Sequence, residues 1–178
     1  MTVESAREAR LRELAHRFSG DVGAYLSRRS YPLVEADVDE LIQAVFVVAW
    51  QRMDSIPVGN ECAWLIAVAR NVLNNARRSF SRRQARHRRI VPRGDEPSAE
   101  DYFIADETLR EALRSLGESD RELLLLHHWE GMEADELAVF LGVRPGAAAT
   151  RLSRASSRLR ESFSALGGSA VNLDADRT

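Results

Sequence analysis

Apolar residues in the first part of the chain recur at helical spacing. Leu11, Leu14, Phe18, Val22 and Tyr25 follow one another at intervals of three and four, which predicts one or two amphipathic helices between Val3 and Leu26. Ser19, Gly20 and Asp21 form a candidate break within them. Pro32 interrupts the next stretch. Asp37, with Glu40 three residues on, then supplies a capping box for a second helix running to about Arg52. That helix carries VFVVAW, which is apolar nearly all round, so it needs two partners rather than one. A short loop from Asp54 to Asn60, containing Pro57 and Gly59, leads into a third helix from about Glu61 to Phe80. Trp64, Leu65, Val68, Val72, Leu73 and Ala76 form its apolar side. Arg70, Asn71, Asn74, Asn75, Arg77 and Arg78 are left to solvent or to a ligand.

From about Ser81 to Asp106 the periodicity dissolves, first into arginine-rich sequence and then into VPRGDEPSAED, which reads as a linker. Helical spacing returns at Leu109, Leu113 and Leu116 and again from Leu123 to Leu126, giving two helices separated by a turn at Gly117 to Asp120. Gly131 ends the second of these. A short helix from Glu133 to Leu141 stops at Gly142, and a last one follows the turn Val143 to Pro145 and runs to about Ala165. Nothing alternates as a strand ladder would, and no segment repeats. The predicted fold class is all-α: two small helical domains, residues 1–81 and 106–166, joined by a flexible linker over 82–105 and followed by a disordered tail over 167–178.

Charge adds a second kind of organisation. The net charge of −2 conceals segregation: residues 62–94 hold 9 arginines and no acid, whereas residues 95–142 hold 3 arginines and 14 acids. The flanking segments, 1–61 and 143–178, carry −3 and +3. The chain has no lysine, so every fixed positive charge is a guanidinium, a group suited to bidentate contact with phosphates and guanine edges. Codon bias in a GC-rich genome accounts for the missing lysine equally well.

Several function classes find no support. The longest apolar stretches, LIQAVFVVAW and AWLIAVA, are about half the length needed to cross a bilayer, and neither sits where a secretory signal would. Membrane insertion is not expected, and the protein reads as cytoplasmic. The single cysteine, Cys62, cannot form an internal disulfide and is either a structural thiol or a redox sensor. His127 and His128 are adjacent and diverge by about 100° on a helix, so they do not chelate one ion together. With no phosphate-cradling glycine loop, nucleophile elbow or metal-spaced ligand set, neither a catalytic residue nor a metal or cofactor is expected.

The segment EADELAVFLGVRPGAAATRLSRASSRLRESF has the form of a helix-turn-helix. In its second helix Arg151, Arg154 and Arg158 share one face, and Leu152, Ala155, Leu159 and Phe163 line a neighbouring one. The apolar side docks and the arginine side is available to a DNA groove; the alternative is a solvated arginine-rich helix. Small residues from Gly146 to Thr150 permit close approach to a phosphate backbone, whose charge suits a helix N-terminus. The basic segment beside Trp64 mixes arginine with asparagine, a combination suited to partly unstacked bases, although a tryptophan at helical spacing from Val68 is more often a core residue than a stacking platform. The loop from Met53 to Glu61, with Asn60, has polar groups able to hold an extruded base or is an ordinary connection.

Together these segments resemble the RNA polymerase sigma factors of the extracytoplasmic-function type. DVDELIQAVFVVAW, from Asp37 to Trp50, resembles sigma region 2.2; AWLIAVARNVLNNARR, from Ala63 to Arg78, is similar to regions 2.3 and 2.4; ELAVFLGVRPGAAATRLSRASSRLR, from Glu136 to Arg160, is similar to region 4.2. The resemblance implies that Asp39, Glu40, Leu41, Gln43 and Phe46 bind, or support binding to, the beta-prime clamp helices of core RNA polymerase, with the beta flap as a further contact. It implies that the loop Met53 to Glu61, including Asn60, together with Trp64, Arg70, Asn71, Asn74, Asn75, Arg77 and Arg78, captures the non-template strand of the minus-ten element. Arg144, Pro145, Gly146, Thr150, Arg151, Arg154 and Arg158 would read the minus-thirty-five element as duplex in promoter DNA. The linker would thread through polymerase toward the RNA exit path, and an anti-sigma factor is an expected partner.

The chain departs from the family pattern at Ala149, where a basic residue is usual, and at Ala44, Val45 and Val48 in the region 2.2 segment. These departures bear on promoter preference and core affinity. The alternative function is a dimeric helix-turn-helix regulator that binds DNA without being a polymerase subunit; the region 2.2 segment speaks against it, as does the want of any sensing domain in the N-terminal half.

Overall fold

The computed structural model describes residues 3–30, 38–87, 104 and 106–168. All regular structure among them is helical, in the order α1 (Val3–Arg29), α2 (Val38–Gln51), a 3-10 turn (Met53–Ser55), α3 (Glu61–His87), α4 (Glu107–Ser115), α5 (Glu118–His128), α6 (Ala134–Leu141) and α7 (Pro145–Ala165). The all-α expectation is met. The helices fall into two compact units, one built from α1 to α3 and the other from α4, α5, α7 and most of α6. None of the described helices is long and apolar enough to cross a membrane.

In the first unit each of the three helices packs against the other two. α1 contributes Leu14, Val22, Tyr25 and Leu26, all at most 4% exposed. The candidate break at Ser19 to Asp21 does not occur: α1 runs through Gly20. A glycine inside a helix costs about 1 kcal/mol relative to alanine, and burial of Val22, Tyr25 and Leu26 just beyond it outweighs that, since one fully buried large apolar side chain contributes roughly 1.5–3 kcal/mol. Gly23 has a different task. A Cβ there would lie 3.2 Å from Cδ1 of Ile42, so glycine lets α2 approach α1 closely.

α2 buries the row Leu41, Val45 and Ala49, and α3 buries Ala63, Leu65, Ile66, Val68, Ala69 and Leu73. Ile66 and Ala69 widen the apolar side of α3 beyond the expected stripe because this helix serves two neighbours. It also continues to His87, past the expected end at Phe80. The residues of that extension, SRRQARH, are mostly good helix formers, so the helix outlasts the apolar pattern that marks its packed part. Cys62 is half-buried in the first turn of α3, with Sγ 4.0 Å from Oδ2 of Asp21. The proposed cap at Asp37, Pro32, most of the 82–105 linker and nearly all of the 167–178 tail lie outside the described residues.

In the second unit, Ile104, Ala112, Leu113, Leu116, Leu124, Ala155 and Leu159 form one core cluster, with Leu109, Trp129, Leu152 and Phe163 packed against it. Asp106 caps α4, its Oδ1 accepting from the amides of Thr108 and Leu109 at 2.8 and 3.1 Å. α5 begins at Glu118, inside the segment expected to be turn, because Gly117 supplies an extended N-cap and three polar residues complete the first turn. The turn into α6 is closed on both sides: Gly131 takes φ +67°, and His127 Nδ1 lies 2.8 Å from the Met132 carbonyl oxygen.

Candidate nucleic-acid and polymerase interfaces

The helix-turn-helix is set by backbone geometry at its turn. Gly142 follows α6 with φ +64°, a left-handed conformation that costs a side-chain-bearing residue energy, and the Val143 amide donates back to the Ala138 carbonyl at 3.0 Å. Pro145 then opens α7 with its φ already suited to a helix. α7 buries Ala148, Ala155 and Leu159, with Leu152 half-buried between them. The arginine face lies about 100° around the helix from that row. Arg144, Pro145, Gly146, Thr150, Arg151 and Arg154 are all exposed. Thr150 Oγ1 donates to the Gly146 carbonyl at 2.8 Å, turning its hydroxyl along the helix.

Arg158 is exposed too, but its guanidinium pairs with the carboxylate of Asp120 in the first turn of α5. It is therefore partnered within its own unit. Asp120 was not among the residues singled out from the sequence, and its distance along the chain from Arg158 left no local signal.

The polar side of α3 is less uniform than its sequence suggests. Asn71, Asn75 and Arg78 are exposed, whereas Trp64, Arg70, Asn74 and Arg77 are half-buried. Arg77 reaches the carbonyl of Arg29 at the end of α1, and Arg78 Nε donates to the Asn74 carbonyl at 3.2 Å. Trp64 lies at the margin of the core, between the two readings of it. Ahead of α3, the loop is anchored by Met53 and Ile56, which are 2% and 4% exposed, and Gly59 takes φ +87° at its tip. The Gly59 amide donates to Oε2 of Glu61 at 3.0 Å, and Asn60 is half-buried with its carbonyl accepting from the Trp64 amide. Val58 stands 84% exposed at the tip, an apolar group the sequence reading passed over.

On α2 the proposed polymerase-binding residues divide. Leu41 is 7% exposed and belongs to the core, so it can only support a partner surface. Asp39, Glu40 and Gln43 are exposed and Phe46 is half-buried. Val47 is 54% exposed and shares its face with Glu40 and Gln43, at intervals of three and four. This is the surplus apolar surface that VFVVAW contains after Val45 and Ala49 have been spent on the core.

Residues 106–159 match the family described as Sigma-70, region 4. The RNA polymerase sigma factor CnrH of Cupriavidus metallidurans is 30% identical over 147 residues, covering 74% of this chain and 75% of that protein. The ECF RNA polymerase sigma factor SigL of Mycobacterium tuberculosis is 28% identical over 144 residues, covering 74% of this chain and 77% of the relative. Among solved structures, the sigma factor RpoE from Bartonella quintana, determined in complex with the anti-sigma factor NepR, superposes with a TM-score of 0.54 at 23% identity, over 86% of this chain and 96% of that one. That likeness concerns the fold. With the helix-turn-helix, the three-helix unit and relatives matched across both, the chain belongs to the extracytoplasmic-function RNA polymerase sigma factors, which direct promoter-specific transcription.

Proposed function

We propose that the chain divides its work between its two helical units, with residues 1–81 acting as sigma region 2, residues 106–166 as region 4 and residues 82–105 as the linker. The outer face of α2, comprising Asp39, Glu40, Gln43, Phe46 and Val47, docks on the beta-prime clamp helices of core polymerase, and Leu41 holds that face in place from beneath. The Met53–Glu61 loop with Asn60, and the polar side of α3 with the exposed Asn71, Asn75 and Arg78 and the half-buried Trp64, Arg70 and Asn74, take up unpaired bases of the minus-ten element. Stacking and polar contact with unpaired bases favour the melted strand, so binding energy drives opening without nucleotide hydrolysis. Polymerase supplies the chemistry, and this chain supplies no catalytic group.

In the C-terminal unit, Arg151 and Arg154 reach base edges and phosphates of the minus-thirty-five duplex, and Arg144, Pro145, Gly146 and Thr150 border the backbone at the start of α7. The single observation that carries this reading is the division of α7 into a buried row, Ala148, Ala155 and Leu159, and an exposed arginine row about 100° away. An anti-sigma factor is the expected regulator, since the Bartonella quintana relative is solved with one. Its target surfaces would be those just named, in the cytoplasm where polymerase works. The test is run-off transcription by core polymerase on a library of upstream sequences from the native genome, with and without the protein. Protein-dependent transcripts from a shared two-part promoter are expected. Binding of a palindromic site by the protein alone, without such transcripts, would replace this reading with a dimeric regulator.

A further inference from the structure

Among the described residues, Arg158 is the one arginine of the row Arg151, Arg154 and Arg158 whose charge is engaged. Its guanidinium pairs with Asp120, whereas among the described residues neither Arg151 nor Arg154 has a hydrogen-bond or ion-pair partner. Seven residues return Arg158 to within about 20° of the direction of Arg151 and set it roughly 10.5 Å further along the axis. An unpaired guanidinium there would therefore prolong the positive row presented to a duplex. Asp120 is well placed to prevent this. It lies in the first turn of α5, where unsatisfied amides favour an anion, and its side chain is 24% exposed against 60% for Arg158. An ion pair this exposed adds little to folding, so the larger effect of the carboxylate is on the charge that α7 offers an approaching polyanion.

We infer that Asp120 is an affinity-setting residue for promoter DNA: it retains Arg158 in an internal pair and so limits the number of phosphates that α7 engages. The inference rests on the assignment of α7 to duplex DNA. A neutralised pair releases no counterion when DNA binds, whereas each arginine on a phosphate steepens the dependence of log affinity on log salt by about 0.9. With Asp120 in place, moving Arg158 to a phosphate would also strand a carboxylate beside the polyanion.

The experiment measures closed-complex formation by the reconstituted holoenzyme at low temperature, across a series of potassium chloride concentrations. The probe is a labelled duplex carrying one of the promoters selected in the run-off experiment. D120N is expected to steepen the salt slope by about 0.9 and to tighten binding most at low salt. R158A leaves the slope of the parent unchanged, and adding R158A to D120N restores that slope. A slope lowered by about 0.9 in R158A would place Arg158 on a phosphate already and overturn the inference, as would a folded D120N with the parental slope. R151A and R154A separate the two levels: if neither weakens closed-complex formation, the assignment of α7 to duplex DNA falls, and the role of Asp120 falls with it. Should D120N fail to fold, the R158A slope decides alone.

Discussion

The guanidinium of Arg77, on α3, donates to the main-chain carbonyl of Arg29, the last residue of α1. The end of α2 is closed in the same manner: Arg7 Nη2 donates to the Trp50 carbonyl at 3.1 Å, with the guanidinium 5.3 Å from the centre of the Trp50 ring. The last carbonyls of a helix have no partner within it and form its negative pole, so a cation placed there satisfies both a lone pair and the dipole. These two arginines join positions 48 and 43 residues apart in the chain. Arginine, fully ionised and planar, suits a position that must reach across a helix packing contact and still donate at its tip.

Arg77→Ala should therefore lower the stability of the N-terminal unit rather than impair base recognition. A hydrogen bond to a charged group contributes about 1.5–3 kcal/mol, and its partial exposure puts the loss at the lower end. Urea denaturation followed by circular dichroism should show this as a lower midpoint for the first unit. The salt dependence of promoter binding should stay as it is. A variant with parental stability and a shallower salt slope would return Arg77 to the DNA-binding face.

The two faces of α2 make opposite predictions for the same change in chemistry. Leu41→Asp places a carboxylate where the side chain is 7% exposed, and the fold of the first unit should suffer before any interface does. Val47→Asp changes a side chain that is already 54% exposed, so the protein should remain folded while its binding to core polymerase weakens at least several-fold. Size-exclusion co-elution with core polymerase, read beside circular dichroism, distinguishes them. Full core binding by a folded Val47→Asp protein would remove Val47 from the interface.

Asp106 offers a stability prediction in the second unit. Its carboxylate satisfies two amides of the first turn of α4, and α4 in turn carries Ala112 and Leu113 into the cluster around Leu159. Replacing such a cap with alanine costs about 1 kcal/mol. Asp106→Ala should reduce the urea midpoint of the C-terminal unit accordingly, and Asp106→Asn should recover most of the loss.

What the chain disclosed in advance follows the physics of each signal. Helices α2, α6 and α7 were legible because apolar spacing, Pro145 and the left-handed Gly142 all act within a few residues. The continuous α1 was not, because its path through Gly20 depends on burial of Val22 and Leu26 against other helices. The far end of α3 was missed for the reverse reason: its last turns are helical without an apolar stripe to announce them. The arginine stripe of α7 was visible as spacing, but spacing does not tell which guanidinium is already held. Arg158 and Asp120 are 38 residues apart, and Arg77 and Arg29 are 48 apart; only the packed helices bring either pair together.

Arg151 and Arg154 provide the sharpest test of how the protein selects a promoter. Both are exposed and without a protein partner among the described residues, so truncating either leaves no carboxylate unpaired and no core position empty. A bidentate pairing with a base edge is worth about 1–3 kcal/mol, which corresponds to roughly a five- to 150-fold fall in promoter-specific initiation when it is removed. An arginine that binds only phosphate behaves differently: its removal weakens binding to all duplexes alike and makes the salt dependence shallower. Run-off transcription on the selected promoter and on single-base variants of its minus-thirty-five element separates these cases. Arg151→Ala and Arg154→Ala should each reduce initiation with core binding intact, and the arginine that reads a base should lose its preference at one position only. If start-site selection and rate are unchanged in both variants, α7 is not the reading helix, and the exposed row beside Leu152 is solvated surface.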